Sequence, residues 1–205
     1  VLIVENLGKR FPLNGRPHWL YRGLSFTVAP GERIGLIGRN GQGKSTLIKL
    51  VGGVLAPSEG QVRWTNGMTC SWPLGFGGGV GGFMTGIDNI RLISRLYDKP
   101  FKGLVDRVDE FAELGEALRE PIKFYSSGMR ARLAFGVSIA LDFDCYLIDE
   151  VIAVGDASFT KRCQEELFDR RGHKAFIIAS HSLDILEQQC DRALIIDNGR
   201  AKMFD

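Results

Sequence analysis

The chain opens on a strand-like pattern. Val1 to Leu7 alternates apolar and polar positions, and Leu24-Ser25-Phe26-Thr27-Val28 does so again, predicting two strands. A turn at Pro30-Gly31-Glu32 then leads into Arg33-Ile34-Gly35-Leu36-Ile37, a buried strand, and Thr46 to Val51 continues as a helix. Pro57-Ser58-Glu59-Gly60 turns the chain into a short strand, Gln61 to Trp64, which ends before Asn66-Gly67. The period then changes. Ile90, Ile93, Leu96 and Tyr97 recur at helical spacing, as do Val108, Phe111 and Leu114 in a helix from Leu104 to a stop at Gly115. Leu133 to Leu141 is apolar almost all round, which predicts a buried helix. Cys145 to Ile148 and Ala175 to Ala179 are continuous apolar runs, the second of the kind buried on both faces of a parallel sheet. A helix over 158–171, stopped by Gly172, separates them, and Asn198-Gly199 signals a closing hairpin.

Two breaks organise this pattern. Residues 75–86 hold seven glycines and almost no charge, too flexible for an element interior and too apolar for an ordinary linker. That segment reads as a hinge against which something docks. At its end, Thr85 with Asp88 three positions on forms a capping box. The chain is therefore expected to be one domain of the α/β class: a core of mostly parallel sheet over residues 1–74 and 142–205, with an antiparallel N-terminal β subdomain. Helices inserted over 87–141 follow the hinge at 75–86.

The candidate chemistry lies at strand ends. Gly38-Arg39-Asn40-Gly41-Gln42-Gly43-Lys44-Ser45 fits G-x-x-x-x-G-K-[ST] between a strand and a helix. Its glycines let backbone N–H groups turn onto phosphate oxygens, Lys44 reaches the β and γ phosphates, and Ser45 opens a helix whose dipole favours an anion. A second helix start, Tyr125-Ser126-Ser127-Gly128-Met129-Arg130, offers two hydroxyls and no bulk at Gly128, another anion site. Asp149 and Glu150 end an apolar strand; a carboxylate there suits Mg²⁺, and its neighbour can polarise water. His181 follows the 175–179 strand, on the edge of an α/β sheet where active sites collect. Among Phe11, Trp19 and Tyr21, one ring could stack on a purine, the alternative being that all three are core residues.

Length, charge and cysteines narrow the class. At 205 residues there is no room for a second complete domain, and a net charge of +2 without a long basic run lacks the footprint of a dedicated nucleic-acid binder. The densest basic patch, Arg170-Arg171-Gly172-His173-Lys174, falls at a helix end and is expected to be solvated. Cys70, Cys145, Cys163 and Cys190 lack C-x-x-C spacing and read as reduced thiols of a cytosolic protein. No apolar run approaches the roughly 18 residues of a membrane span, and no signal peptide opens the chain. Since Val1 stands where Met would, a few leading residues are expected to precede it.

The ordered set of phosphate loop, Gly-rich hinge, helical insertion, Ser-Ser-Gly helix start, Asp-Glu strand end and His after a strand resembles the nucleotide-binding subunit of an ABC transporter over nearly the whole chain. Ser71-Trp72-Pro73-Leu74-Gly75, Tyr125 to Arg130 and Asp149-Glu150-Val151-Ile152-Ala153-Val154-Gly155-Asp156 are similar, more narrowly, to the ATP-binding subunit of bacterial capsular polysaccharide exporters. The resemblance implies ATP and Mg²⁺ as ligands. Phe11, Gly38, Asn40, Gly41, Gly43, Lys44, Ser45 and Thr46 would bind nucleotide, with Phe11 where the family stacks adenine on an aromatic ring. Ser45 and Asp149 would hold Mg²⁺, Glu150 would be the general base, and His181 would contact the γ-phosphate; Glu150, His181 and Lys44 form the implied catalytic set. Ser126, Ser127 and Gly128 would complete the site of the opposite subunit of a homodimer, with Asp156 in the dimer-contacting loop. Gly81 stands where the family has Gln.

The implied partners are a second copy and an integral-membrane permease docked on the helical insertion and the hinge, with cell-envelope export partners reached through the permease and no nucleic acid. The implied place is the cytoplasmic face of the bacterial inner membrane. O-antigen and teichoic acid exporters are the near alternatives. A soluble ABC ATPase acting on nucleic acid or ribosomes would bring a second nucleotide domain or a long coiled coil, and a P-loop GTPase would bring an Asn-Lys-x-Asp segment; the chain has none of these.

Overall fold

The computed structural model describes residues 1–13, 16–74, 82–149, 157–180, 182–197 and 199–204. The chain divides into two compact units, one of residues 1–73, 144–150 and 172–205, the other of residues 74–143 and 151–171.

The first unit is built from two sheets. Strands β1 (Leu2–Leu13), β2 (Arg16–Val28) and β4 (Glu59–Trp64) form an antiparallel sheet in the order β2-β1-β4. Strands β3 (Arg33–Ile37), β5 (Cys145–Asp149), β6 (Ala175–Ala179), β7 (Arg192–Asp197) and β8 (Arg200–Phe204) form the second, in the order β5-β6-β3-β7-β8. Its first four strands are parallel, and only β8 runs back, paired Asp197 to Arg200 across the hairpin. This is the mostly parallel sheet with an antiparallel N-terminal subdomain that the sequence predicts. β5 and β6 are apolar on both faces because both faces are covered: Tyr146, Leu147, Phe176 and Ile177 are fully buried. Helix α1 (Lys44–Val51) buries Leu47, Ile48, Leu50 and Val51 in the core cluster that also takes Leu36, Leu147 and Ile177 from the parallel sheet. Helix α6 (Leu183–Gln189) joins β6 to β7.

The first two strands run well beyond the predicted limits. Pairing from Leu2 with Val28 to Leu13 with Arg16, interrupted by bulges between Val4 and Arg10, makes a long ribbon, so Phe11, Trp19 and Tyr21 lie on strands rather than between them. Their environments then diverge. Tyr21 is core, Phe11 is exposed, and Trp19 lies under the guanidinium groups of Arg10 and Arg22, 5.6 and 4.7 Å from its centroid.

The second unit holds α2 (Gly86–Leu96), α3 (Phe101–Ala112), α4 (Ser127–Leu141) and α5 (Ala157–Gln164). The capping box at α2 is made: the Asp88 amide donates to Thr85 Oγ1 at 3.0 Å, and that hydroxyl donates to Asp88 Oδ2 at 2.8 Å. α4 starts on Ser126, whose Oγ accepts from the Met129 amide at 3.1 Å, and buries Leu133, Phe135, Val137 and Leu141. Phe111, Phe135 and Phe159 meet with centroids 5.4 to 6.3 Å apart. This aromatic trio explains why residues 157–171, expected with the sheet core, group with the helices. The single helix expected over 158–171 is α5 followed by a π-helical segment, Glu165–Asp169. The basic patch after it is not solvated throughout. Arg171 is 15% exposed, donates to Ile139 O at 3.1 Å and pairs with Glu166, because the C-terminal carbonyls of α4 offer it a partner that the local sequence does not reveal.

All four cysteines are free thiols, and burial pushes Cys70 up to about 11 and Cys163 and Cys190 up to about 12, which keeps them unreactive.

The antiparallel sheet depends on one close approach. β1 bulges at Asn6, which takes a φ of 48°, and Gly60 of β4, at φ 75°, packs so near that a Cβ there would lie 2.3 Å from the carbonyl oxygens of Glu5 and Asn6. Gly60→Ala should therefore destabilise the protein by roughly 2 kcal/mol or more. For a chain of this size that is a fall of at least about 4 °C in Tm by calorimetry. An unchanged Tm would contradict this packing of β4 on the bulge.

Candidate nucleotide site

The parallel register sets the site. Asp149 at the end of β5 stands beside Ala179 of β6, and Ala179 stands beside Leu36 of β3, so three strands end nearly flush. The loop 38–43 leaves β3 at this edge and turns directly into α1. Gly43 takes a φ of 99°, and a Cβ there would lie 2.6 Å from Leu20 Cδ2 and 2.9 Å from Tyr21 Cε1. Only glycine fits, since both the left-handed backbone and the side chains of β2 exclude anything larger. The first backbone N–H groups of α1 have no carbonyl partner within the helix, as at any helix start, and an anion would meet them there.

Side chains complete the cradle. Lys44 is 9% exposed; its Nζ donates to Gly38 O at 2.6 Å and Arg39 O at 3.4 Å, which holds the ammonium inside the loop. Ser45 Oγ donates to Asp149 Oδ1 at 2.8 Å, across 104 residues of sequence. A hydroxyl and a carboxylate side by side at the mouth of a phosphate loop are the hard oxygen donors that Mg²⁺ prefers. Among the described residues no cluster of three or more His, Cys, Asp or Glu could hold a metal unaided, so the remaining positions would fall to a ligand's oxygens and water.

These groups line a cleft of about 400 Å³. Apolar Phe11 and Leu20 line it together with polar Lys44, Ser45, Asp149 and Ser180 and with Asn40, Gly41, Gly43 and Thr46. A lining that combines an aromatic ring with cationic and hydroxyl groups suits a molecule with both a flat base and phosphates. The structure thus brings Phe11, Asn40, Gly41, Gly43, Lys44, Ser45, Thr46 and Asp149 together, with Gly38 held by Lys44. Ser126, Ser127 and Gly128 belong to the second unit, at the start of α4. Glu150, Asp156, His181 and Gly81 lie outside the described residues. Sequence reasoning missed Leu20 and the strand-end pair Ala179 and Ser180. The signal for Leu20 was its place beside Tyr21, opposite the strand that carries Phe11.

A family model for ABC transporters matches residues 21–153, a span running from β2 through the phosphate loop and past Asp149. The chain belongs to the ABC transporter family. As an ABC transporter subunit it binds and hydrolyses ATP. The capsule polysaccharide export ATP-binding protein CtrD of Neisseria meningitidis is 45% identical over all of this chain and 94% of its own length. The ATP-binding protein BexA of Haemophilus influenzae is 46% identical over 98% of this chain and 92% of its own. Among solved structures, a dimeric ATP-binding cassette in a post-hydrolysis state with ADP and Pi superposes with a TM-score of 0.81 over 98% of both chains; at 16% identity it shows the shared fold.

One polar atom under this ABC site is costly. Tyr21 is 1% exposed, its hydroxyl has no hydrogen-bond partner among the described residues, and burial raises its pKa well above the usual phenol value. Tyr21→Phe keeps the ring against Gly43 and removes the orphan oxygen. Stability in denaturant should rise by about 1 kcal/mol with nucleotide affinity unchanged. A loss of similar size would show that the hydroxyl finds a partner in solution.

Proposed function

We propose that the chain is the ATP-hydrolysing subunit of a bacterial capsular polysaccharide exporter, working at the cytoplasmic face of the inner membrane through a separate permease. The observation that carries this reading is the Ser45–Asp149 pair at the open end of a phosphate cradle, in a chain 45% identical along its length to a capsule export ATP-binding protein. No described helix is long and apolar enough to cross a membrane, which agrees with a translocation path supplied by another chain.

In this reading Phe11 stacks on adenine beside Leu20, the loop amides and Lys44 bind the β and γ phosphates, and Ser45 with Asp149 holds Mg²⁺. The ion, when bound, neutralises charge on the phosphates. Glu150 acts as general base on the attacking water, and His181 contacts the γ-phosphate. A second copy supplies Ser126, Ser127 and Gly128, the first turn of a helix whose N-terminal amides and dipole favour the phosphates, and Asp156 lies at the contact between copies. ATP then joins the two copies and hydrolysis lets them part, which is how chemical energy becomes motion.

The permease would dock on the helical unit near the Gly-rich hinge. Phe83 and Phe124 support that surface: they are 91% and 69% exposed, on neighbouring segments joined by the Lys123 amide to Gly82 O at 2.8 Å and the Ile122 amide to Met84 O at 3.0 Å. Two exposed phenyl rings on adjoining segments, Phe124 with the Lys123 ammonium 4.8 Å from its centroid, suit a largely apolar partner face.

Glu150→Gln tests the assignment, because the side chain keeps its size and loses its basicity. ATP affinity should hold while steady-state hydrolysis falls by roughly 100-fold or more. Light scattering should then find a dimer that persists with ATP. Unchanged turnover, or a monomer at saturating ATP, would contradict it.

A further inference from the structure

The C-terminus of α3 is closed in an unusual way. Its last carbonyls would ordinarily be satisfied by a glycine turn or a basic residue in its own final turn, and α3 has neither. Instead Glu113 takes the capping position in the left-handed region, φ 54° and ψ 46°, where a long side chain is disfavoured and Gly or Asn is usual. Two arginines from other helices converge there. Arg162 of α5 pairs with Glu113 Oε1 and donates from its other terminal nitrogen to Glu110 O at 2.8 Å. Arg132 of α4 lies 3.4 Å from Glu113 Oε2 and donates to Ala112 O at 3.5 Å.

Both guanidinium groups also rest on the aromatic trio. Arg132 of α4 covers Phe159 of α5 at 4.6 Å, and Arg162 of α5 covers Phe111 of α3 at 5.0 Å. Each arginine is therefore held on its flat face by a ring and at its edge by a carbonyl and one shared carboxylate. A guanidinium fixed on face and edge has little rotational freedom left. The side chain of Glu113 is 58% exposed, so pairs of this kind add little to stability. What they fix is spacing. α4 begins at the Ser126–Gly128 turn, α5 begins at Ala157, next in sequence to Asp156, and among the described residues Glu113 is a carboxylate that arginines of both helices share.

We infer that Glu113 is a positioning residue for ATP hydrolysis: through Arg132 and Arg162 it sets the starts of α4 and α5 at the separation needed to meet a nucleotide held by a second copy. The inference rests on the reading that those two helix starts face the partner's site. The cis cleft contains none of these three residues. Loss of the carboxylate should therefore leave binding of ATP to a single copy intact and act on turnover and dimer formation.

The test uses Glu113→Gly and Glu113→Gln in the full chain. Glycine suits the left-handed backbone and removes the carboxylate, whereas glutamine keeps the size and loses the charge, so a folded variant is available even if one fails. Three measurements are made on each: Tm, nucleotide affinity of the monomer by fluorescent ATP analogue, and kcat against KM for ATP hydrolysis. ATP-driven dimerisation is measured by light scattering in a Glu150→Gln background. The expected result is a kcat at least 10-fold lower, with monomer affinity and KM within about 2-fold of the parent, Tm within about 3 °C, and a weaker ATP dimer. Glu113→Asp, which keeps the charge, should recover part of the lost kcat.

Wild-type kcat in both variants overturns the positioning role, and so does a kcat loss matched by equal losses of monomer affinity and Tm, the mark of a merely structural residue. If the Glu113-intact, Glu150→Gln chain still dimerises with ATP, such a failure is confined to Glu113. If that chain forms no ATP dimer, the two-copy reading falls and the inference falls with it.

Discussion

The hydrogen bond from Ser45 to Asp149 is the constraint on which the site depends. Its two ends are 104 residues apart, and they meet only because β5, β6 and β3 are parallel and in register, with Ala179 beside both Asp149 and Leu36. A slip of one residue in β5 would turn Asp149 to the other face of the sheet and leave Ser45 facing apolar side chains. The register is held by burial. Tyr146, Leu147, Phe176 and Ile177 are fully enclosed on the two faces, so a shift of one residue would force side chains of the wrong shape into close-packed surroundings. The long excursion between the loop and β5 is consequently free to carry the second unit, because the return of Asp149 is fixed by the sheet and not by the path taken to it.

The β2 strand applies pressure from the other side. Leu20 lines the cleft while Tyr21 packs in the core, and both crowd Gly43. The antiparallel sheet thus supports the phosphate loop and also lines the cleft through Phe11 and Leu20. It does so at the expense of one buried phenol oxygen without a partner among the described residues. The helical unit follows a different economy. Its elements are tied at their ends by side chains from elsewhere in the unit: Arg171, just after the π-helical segment, reaches α4, and Arg132 and Arg162 close α3.

What was legible in the sequence is what depends on neighbours in sequence. The phosphate loop, the Thr85–Asp88 box, the helix start at Ser126 to Gly128 and the apolar strand ending at Asp149 are each encoded within about eight residues, and each is present in the structure. The length of the β1–β2 ribbon was not legible, because Lys9 to Leu13 and Arg16 to Arg22 mix cations with aromatics and show no clean alternation. The fates of Phe11, Trp19 and Tyr21 follow from register, which no local pattern carries. Arg171 read as a solvated cation for the same reason: the carbonyl of Ile139 that receives it lies 32 residues away. The ABC resemblance supplied the roles that local chemistry leaves open, such as the opposite-subunit role of Ser126 to Gly128.

A double-mutant cycle on Ser45→Ala and Asp149→Ala, read as the Mg²⁺-dependent gain in ATP affinity by isothermal titration, tests the central claim most directly. If the two side chains act as one unit that holds Mg²⁺ at the phosphate cradle, each single variant loses most of that gain and the double variant loses no more than either. Additive losses, or a full Mg²⁺-dependent gain in either single variant, would contradict it.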